Sequence, residues 1–206
     1  MQKRYKWAAA ICLTIGIALL SIGLLKKHLD DKQQDSDYAV YTSQTLPAQE
    51  KDALSESIRH YNDDRSGYEN IPENIGWILI DKLDLKYPVY RTTDDEALAE
   101  GIVHVVGTDL PVGDDRTDVM LMGHNGEAGK ALFTHLDELT IGDEVVLDFK
   151  TGTYRYTVTG TEVVEPDLVH MYRSDQSTLT LMTCTPYGSN THRLLVHCTI
   201  SKGERA

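Results

Sequence analysis

Between Ile75 and Ile200 the chain is a succession of short β-prone runs cut by Gly, Pro and Asp. They read GWILI, LKYPVY, DVMLMG, GDEVVLDF, TYRYTVTGTEVV, STLTLMTC and THRLLVHCTI. Runs of this length, rich in Val, Ile, Thr and Tyr and bounded by turn residues, predict strands or strand pairs. Many short strands with few helices predict a mainly β domain, a closed barrel or a sandwich. Three helices are expected beside them. Pro47 to Tyr61 has Pro at a first-turn position and an apolar stripe of Ala53, Leu54 and Ile58. Shorter ones are expected at Asp94 to Glu100 and around Lys130 to Leu139. No internal repeat or low-complexity segment is evident.

The amino-terminal part obeys a different rule. Trp7 to Leu25 is an uninterrupted run of apolar and small residues, close to the roughly 20 that cross a bilayer as a helix. Lys3, Arg4 and Lys6 precede it and Lys26 and Lys27 follow, a balance slightly favouring an inside amino terminus. Residues 1–26 therefore read as an uncleaved signal-anchor; a cleaved secretory signal is the rival, but no clear Ala-x-Ala site follows the run. Residues 27–46 are polar without sustained periodicity and read as a linker. The remainder, 47–206, reads as one folded domain outside the membrane, with its strands over about 75–201. Beyond residue 26 the chain carries 16 basic against 32 acidic residues, a formal charge of −16. Such a surface repels phosphates, so nucleic acid is excluded as a partner.

The chemistry concentrates in TLMTCTPYGSNTHRLLV, residues 180–196. Cys184 ends one β-prone run, a Pro-Tyr-Gly-Ser-Asn turn follows, and Arg193 lies inside the next run. A thiol and a guanidinium on adjacent strands can face each other across a hairpin, an arrangement for attacking a carbonyl and holding the charge that develops on it. The plainer reading is that Cys184 is core packing. Departure of the leaving group needs a proton donor, usually histidine. Of eight histidines, His192 adjoins Arg193 but strand alternation puts it on the opposite face. His124 is the better candidate, because it follows VMLMG and opens the loop HNGEAG. Cys198 reads as a buried small hydrophobe, with a bridge to Cys184 as the alternative in an exported domain. No CxxC or HExxH spacing supports zinc, and no EF-hand spacing supports calcium, so no metal ligands are assigned.

TLMTC resembles the TLxTC signature of sortases, the membrane-anchored cysteine transpeptidases of Gram-positive bacterial surfaces. TPYGSNTHRLLV resembles the continuation in class C, the pilus-assembling sortases. GIVHVVGTDLPVG and MGHNGEAGKALFTHLDELTIGDEV resemble the segments before and around the family histidine. The likeness covers roughly residues 75–201. It implies an eight-stranded β-barrel with Cys184 as nucleophile, His124 as general acid/base and Arg193 as stabiliser of substrate and oxyanion. Catalysis then needs no cofactor. Thr183, Thr185, His104 and Asn125 are the further substrate-binding candidates. For Thr183 a strand-fixing role is the alternative, and for His104 a part in the loop wall. The backbone N–H of Thr185 is a candidate oxyanion donor.

The resemblance implies that an LPxTG-like signal is cleaved between Thr and Gly through a thioacyl-enzyme. The acyl group then passes to an amine, most readily a pilin lysine. The partners are therefore sorting-signal-bearing surface proteins or pilins and an amine acceptor. The alternative acceptor is a peptidoglycan precursor, as in housekeeping anchoring of surface proteins. A surface cysteine protease that uses water, and an inactive sortase-like assembly scaffold, are the rivals from other classes. Three departures from class C stand out. Residues 62–74 (NDDRSGYENIPEN) lack the Asp-Pro-aromatic lid motif, which predicts an open site. The sequence given ends at SKGERA where many class C members carry a second membrane segment. ENIGWILIDKLDLKYPVY resembles class B instead.

Overall fold

The computed structural model describes residues 2–92, 94–113, 115–127 and 130–201. Its centre is a closed barrel of eight strands. In chain order the elements are helices α1 (Gln2–Ser43) and α2 (Ala48–Asp64), strands β1 (Asn74–Ile80) and β2 (Leu85–Tyr90), and helix α3 (Asp95–Glu100). Then come β3 (Ile102–His104), β4 (Asp118–Met122), β5 (Asn125–Glu127), β6 (Lys130–Leu132) and β7 (Glu144–Phe149). The chain closes with β8 (Gly152–Val164), β9 (Thr178–Thr185) and β10 (His192–Ile200). Around the barrel the order is β1-β2-β3-β4-β9-β10-β8-β7, while β5 and β6 form a separate ribbon. The expected eight-stranded barrel is therefore present. Closure leaves the barrel without an edge strand, which is how so many short strands coexist without templating aggregation.

Alternation sorts the side chains. Leu121, Leu179, Leu181, Leu194, Val196 and Cys198 point into the main core, together with Tyr156, which is fully buried. Pro88 inside β2 is tolerated because the β2–β3 pairing starts only at Val89, so its missing N–H costs no ladder bond on that side. The run TYRYTVTGTEVV is one long strand, β8. A bulge there leaves Thr159 between the pairs His197↔Gly160 and Cys198↔Val158.

Two sequence expectations are corrected. The stretch Lys130 to Leu139 is not a helix; it is strand β6 followed by a 3-10 turn at Leu136–Glu138. Its Phe133 N–H is taken by the His124 carbonyl, and this tertiary bond overrides local helix propensity. The polar segment read as a linker is helical through Ser43, continuing the apolar part of α1. It docks on the outside of β1 and β7. Tyr38 Oη donates to Asp148 Oδ2 (2.7 Å), and Tyr41 Oη to the Asp148 carbonyl (3.1 Å). Lys150 Nζ donates to the carbonyls of Tyr41 and Gln44. The two tyrosines cover Trp77, whose ring centroid lies 5.3 Å from that of Tyr38. In α1 the apolar side chains at Trp7 and from Ile11 to Leu25 are exposed, and the helix is long and apolar enough to cross a membrane.

Helix α2 is found where the Pro47–Tyr61 helix was expected and runs three residues further, to Asp64. Pro47 caps it, its carbonyl accepting from Glu50 and Lys51 N–H, and Arg65 ends it in the left-handed conformation. Asn62 clamps it to the β3–β4 connection through both its amide N–H and its carbonyl, to the backbone of Leu110. Beyond it Tyr68 reaches under β3 to His104 and the Arg91 carbonyl.

Candidate active site

Three strand ends meet at one rim of the barrel. β9 and β10 are antiparallel with Arg193 directly opposite Cys184, so the two side chains leave the sheet on the same face. His192 is opposite Thr185 and belongs to the other face, as strand alternation requires. On the other flank β4 runs parallel to β9, with Met122 beside Met182. The zipper continues past the last paired residues. Gly123 N–H donates to the Met182 carbonyl (3.1 Å), and Thr183 Oγ1 donates to the Gly123 carbonyl (2.8 Å). Asn125 Nδ2 then donates to the Cys184 carbonyl (2.7 Å). His124, two residues past Met122, thereby falls level with Cys184, two residues past Met182. The row His124–Cys184–Arg193 spans three neighbouring strand ends, and all three residues are half-buried.

Gly123 permits this approach. A Cβ there would lie 2.5 Å from Ile102 Cδ1 and 2.9 Å from the Phe133 ring. Gly126 serves the next turn: at φ +85° its Cα faces the Tyr187 ring, only 2.0 Å from where a Cβ would stand. Tyr187 belongs to the β9–β10 loop, so this contact ties the histidine loop to the cysteine loop. Arg193 is held by its own loop, Nη1 donating to the carbonyls of Asn190 (3.1 Å) and His192 (2.9 Å). Those bonds orient the planar fork and leave its other N–H groups for a ligand.

The two cysteines of the barrel have distinct environments. Cys198 is fully buried and unpaired, and burial pushes its thiol up to about 12. It is inert packing, not a bridge partner. Cys184 is a free, half-buried thiol at the rim.

The secondary candidates separate. Asn125 holds the Cys184 carbonyl. Thr183 is buried on the opposite face from the thiol and braces Gly123, which is its strand-fixing role. Thr185 and Asn125 line a cavity of about 250 Å³ beside Phe133 and Tyr187, on the Thr183 side of the strand. His104 does not fit a substrate-binding role. It is fully buried, with Tyr68 Oη 2.6 Å from Nδ1 and the Asp109 carbonyl 3.0 Å from Nε2. Burial pulls its pKa down to about 4, so the ring is neutral at pH 7 and serves as a fixed internal cross-link.

What strand reading missed is the floor beside the thiol. Met120, Met182 and Leu195 form a second buried cluster on the outward face, bordered by Met122, Val105, Val164, Val169 and Met171. Leu195 is two residues from Arg193 and Met182 two from Cys184, so the floor continues the row of the three candidate residues down the same face. The signal was present: STLTLMTC is apolar at both parities, the mark of a strand covered on both faces. The covering segment is the β8–β9 connection, residues 165–177. It is tied down by Thr178 Oγ1 to the Tyr172 carbonyl (2.9 Å) and by Arg116 Nη2 to the Ser174 carbonyl (2.7 Å).

Known proteins share this architecture. A family model for the sortase domain matches residues 78–201. Sortase A of Bacillus anthracis is 30% identical over 125 residues, which cover 59% of this chain and 57% of that protein. The chain thus spans little more than half the length of the curated relatives it matches. Among solved structures, Streptococcus pneumoniae sortase C superposes with a TM-score of 0.74 at 27% identity, covering 83% of this chain and 97% of that one. Clostridium perfringens sortase C with the C-terminal cell wall sorting motif gives a TM-score of 0.69 at 33% identity, covering 82% and 97%. The match of the family model over more than half of the chain, together with the structural likeness to solved sortases, places this protein in the sortase family, with class C members among its structural neighbours.

Proposed function

We propose that the protein is a membrane-anchored cysteine transpeptidase that joins a sorting-signal-bearing protein to an amine. The single observation that supports this reading is the register of β4, β9 and β10, which brings His124, Cys184 and Arg193 level at one rim. Cys184 sulfur attacks the Thr carbonyl of an LPxTG-like signal. The oxyanion that forms is held by the Arg193 fork and by the Thr185 N–H. The C–N bond to Gly breaks, His124 passes the proton lost by the attacking thiol to the departing amine, and a thioester remains on Cys184. An incoming amine then attacks the thioester, His124 takes its proton and returns it to the sulfur, and the C–S bond breaks to release the thiol as the new amide forms. The apolar floor of Met182 and Leu195 receives the Leu-Pro side of the signal.

The acceptor is a pilin lysine. Support comes from the neighbours: the pneumococcal sortase C structure concerns pilin substrate specificity, and the Clostridium perfringens structure carries a sorting motif. The apolar part of α1 crosses the membrane once, with the barrel outside.

Intact-mass spectrometry on the full chain in detergent, incubated with an LPxTG-type peptide, tests this. An acyl adduct on Cys184 is expected, resolved by a pilin-derived lysine peptide. Resolution by glycine amines alone would move the acceptor to peptidoglycan, and resolution by water alone would make it a protease. Cys184→Ala abolishes the adduct, and His124→Ala lowers its rate by about 10²-fold or more. Arg193→Lys falls in the same range, because an ammonium lacks the planar fork. Near-normal turnover in Arg193→Lys would remove that role from the arginine.

A further inference from the structure

Glu162, His170 and His197 converge at a place no sequence spacing marks. Glu162 lies on β8 opposite Leu195, and His197 lies two residues beyond Leu195 on the same outward face of β10. His170 comes from the β8–β9 connection. Glu162 Oε1 is 3.0 Å from His170 Nε2 and 2.8 Å from His197 Nε2, and the three ligand atoms all lie within 4.8 Å of one another.

The outer contacts of the rings define which nitrogen faces inward. His170 Nδ1 is 3.2 Å from the Leu168 carbonyl, which only accepts, so Nδ1 carries the hydrogen in that bond and Nε2 carries a lone pair when the ring is neutral. His197 Nδ1 has the Thr180 hydroxyl at 3.4 Å, which can accept in the same way. Two neutral rings held so, with a carboxylate between them, point three lone pairs at one spot. In the other tautomer Nε2–H donates to Glu162 Oε1 at the same 2.8 and 3.0 Å, so the choice between a metal and protons at this spot is what the test below decides. Histidines anchored through Nδ1–H to oxygen and presenting Nε2 are the usual supporting arrangement of a metal centre.

We propose that these three residues bind one divalent transition metal of the zinc class, and that the metal clamps the β8–β9 connection onto the barrel. Two imidazoles and one carboxylate suit zinc rather than calcium, whose ligands are oxygens. A tetrahedral zinc with bonds of about 2.0–2.2 Å separates its ligand atoms by roughly 3.3 Å. The carboxylate oxygen stands 3.0 and 2.8 Å from the two Nε2 atoms and has to move out by roughly half an ångström, while the two nitrogens, within 4.8 Å of each other, settle to the same separation. His170 supplies that freedom, since its side chain is 56% exposed, while His197 is 10% exposed and fixed in the strand. The fourth position is left to water. The clamp joins the connection to both β8 and β10. It adjoins Val169 and Met171, which flank the apolar floor below Cys184. The proposal concerns metal binding and loop rigidity and does not rest on the transpeptidase reading.

The test uses the full, tag-free chain in detergent, stripped with chelator, with Cys184→Ala in every sample to remove the competing thiolate. Zn2+ is titrated by calorimetry, Co2+ by visible absorption, and hydrogen exchange is followed over residues 165–177. One Zn2+ per chain and a tetrahedral Co2+ spectrum are expected, with no response to Ca2+. His170→Ala weakens Zn2+ binding by about tenfold or more, and Glu162→Gln does likewise. Because His170 is on an exposed segment, its variant folds even where His197→Ala does not. Zn2+ is expected to slow exchange across 165–177 in the parent and not in His170→Ala. No Zn2+ binding, or equal binding in His170→Ala, would overturn the site and leave a triad held by protons only. Binding with unchanged exchange would overturn the clamp.

Discussion

At the scale of single residues, the site depends on small groups that let large ones meet. Gly123 is the clearest case, because the backbone of β4 passes so close to Ile102 and Phe133 that no side chain fits. Gly123→Ala is expected to cost about 1–3 kcal/mol through overpacking. It should also slow acyl-enzyme formation, since His124 is the next residue. Urea unfolding and adduct kinetics, measured side by side, check both parts. A variant with parental stability and parental kinetics would show that the close approach is not what sets the position of His124. Cys184 and Cys198 show the same dependence on surroundings. Identical thiols fourteen residues apart are separated by alternation, one at the rim and one in the core.

At the scale of elements, the β3–β4 connection is held by a buried histidine that does no chemistry. His104 has its pKa lowered to about 4 in the fold, against about 6.5 when exposed. A base with a depressed folded pKa makes the unfolded chain the stronger proton binder between those two values. Its contribution is therefore complete above pH 6.5 and is lost as pH falls toward 4. The loss amounts to about 3 kcal/mol at most. The thermal midpoint of the chain is expected to drop across this window. His104→Gln, which has no titrating ring, flattens that part of the profile. An unchanged slope in His104→Gln would assign the acid sensitivity elsewhere.

At the scale of the whole molecule, α1 joins the barrel to the apolar helix as one rod. Tyr38 and Tyr41 seal Trp77 against the outside of β1, and Lys86 pairs with Asp35 at 2.6 Å. An ordered rod sets the orientation of the rim relative to a membrane, which a disordered tether would not. Trp77 reports this docking. In a Trp7→Phe chain, where Trp77 is the sole tryptophan, Tyr38→Ala with Tyr41→Ala is expected to shift its emission to the red and raise its quenching by acrylamide. Emission identical to that of the Trp7→Phe parent would mean that the helix does not shield the ring.

Local sequence determined the short β-prone runs, hence a mainly β domain, barrel or sandwich, and the apolar stretch that reads as an anchor; the choice of an eight-stranded barrel rested on the family resemblance. Local sequence also marked the candidate side chains: Cys184 at the end of one recognisable run, His124 just after another and Arg193 inside a third. The opposition of Cys184 and Arg193 was legible because a short hairpin leaves little choice of register. Tertiary structure alone decided the rest. His124 reaches the row only through a parallel β4–β9 pairing between segments some sixty residues apart, and no local pattern encodes a parallel register. Residues 130–139 lost their helical expectation to a backbone bond with His124, and residues 27–43 gained a helix by docking two tyrosines on Trp77. His104 became a cross-link, and Glu162, His170 and His197 became neighbours, only when closure of the barrel joined β8 to β10 and laid the intervening loop across them. Local propensity is a free-energy difference of tenths of a kcal/mol per residue, roughly, and burial against a distant segment readily outweighs it.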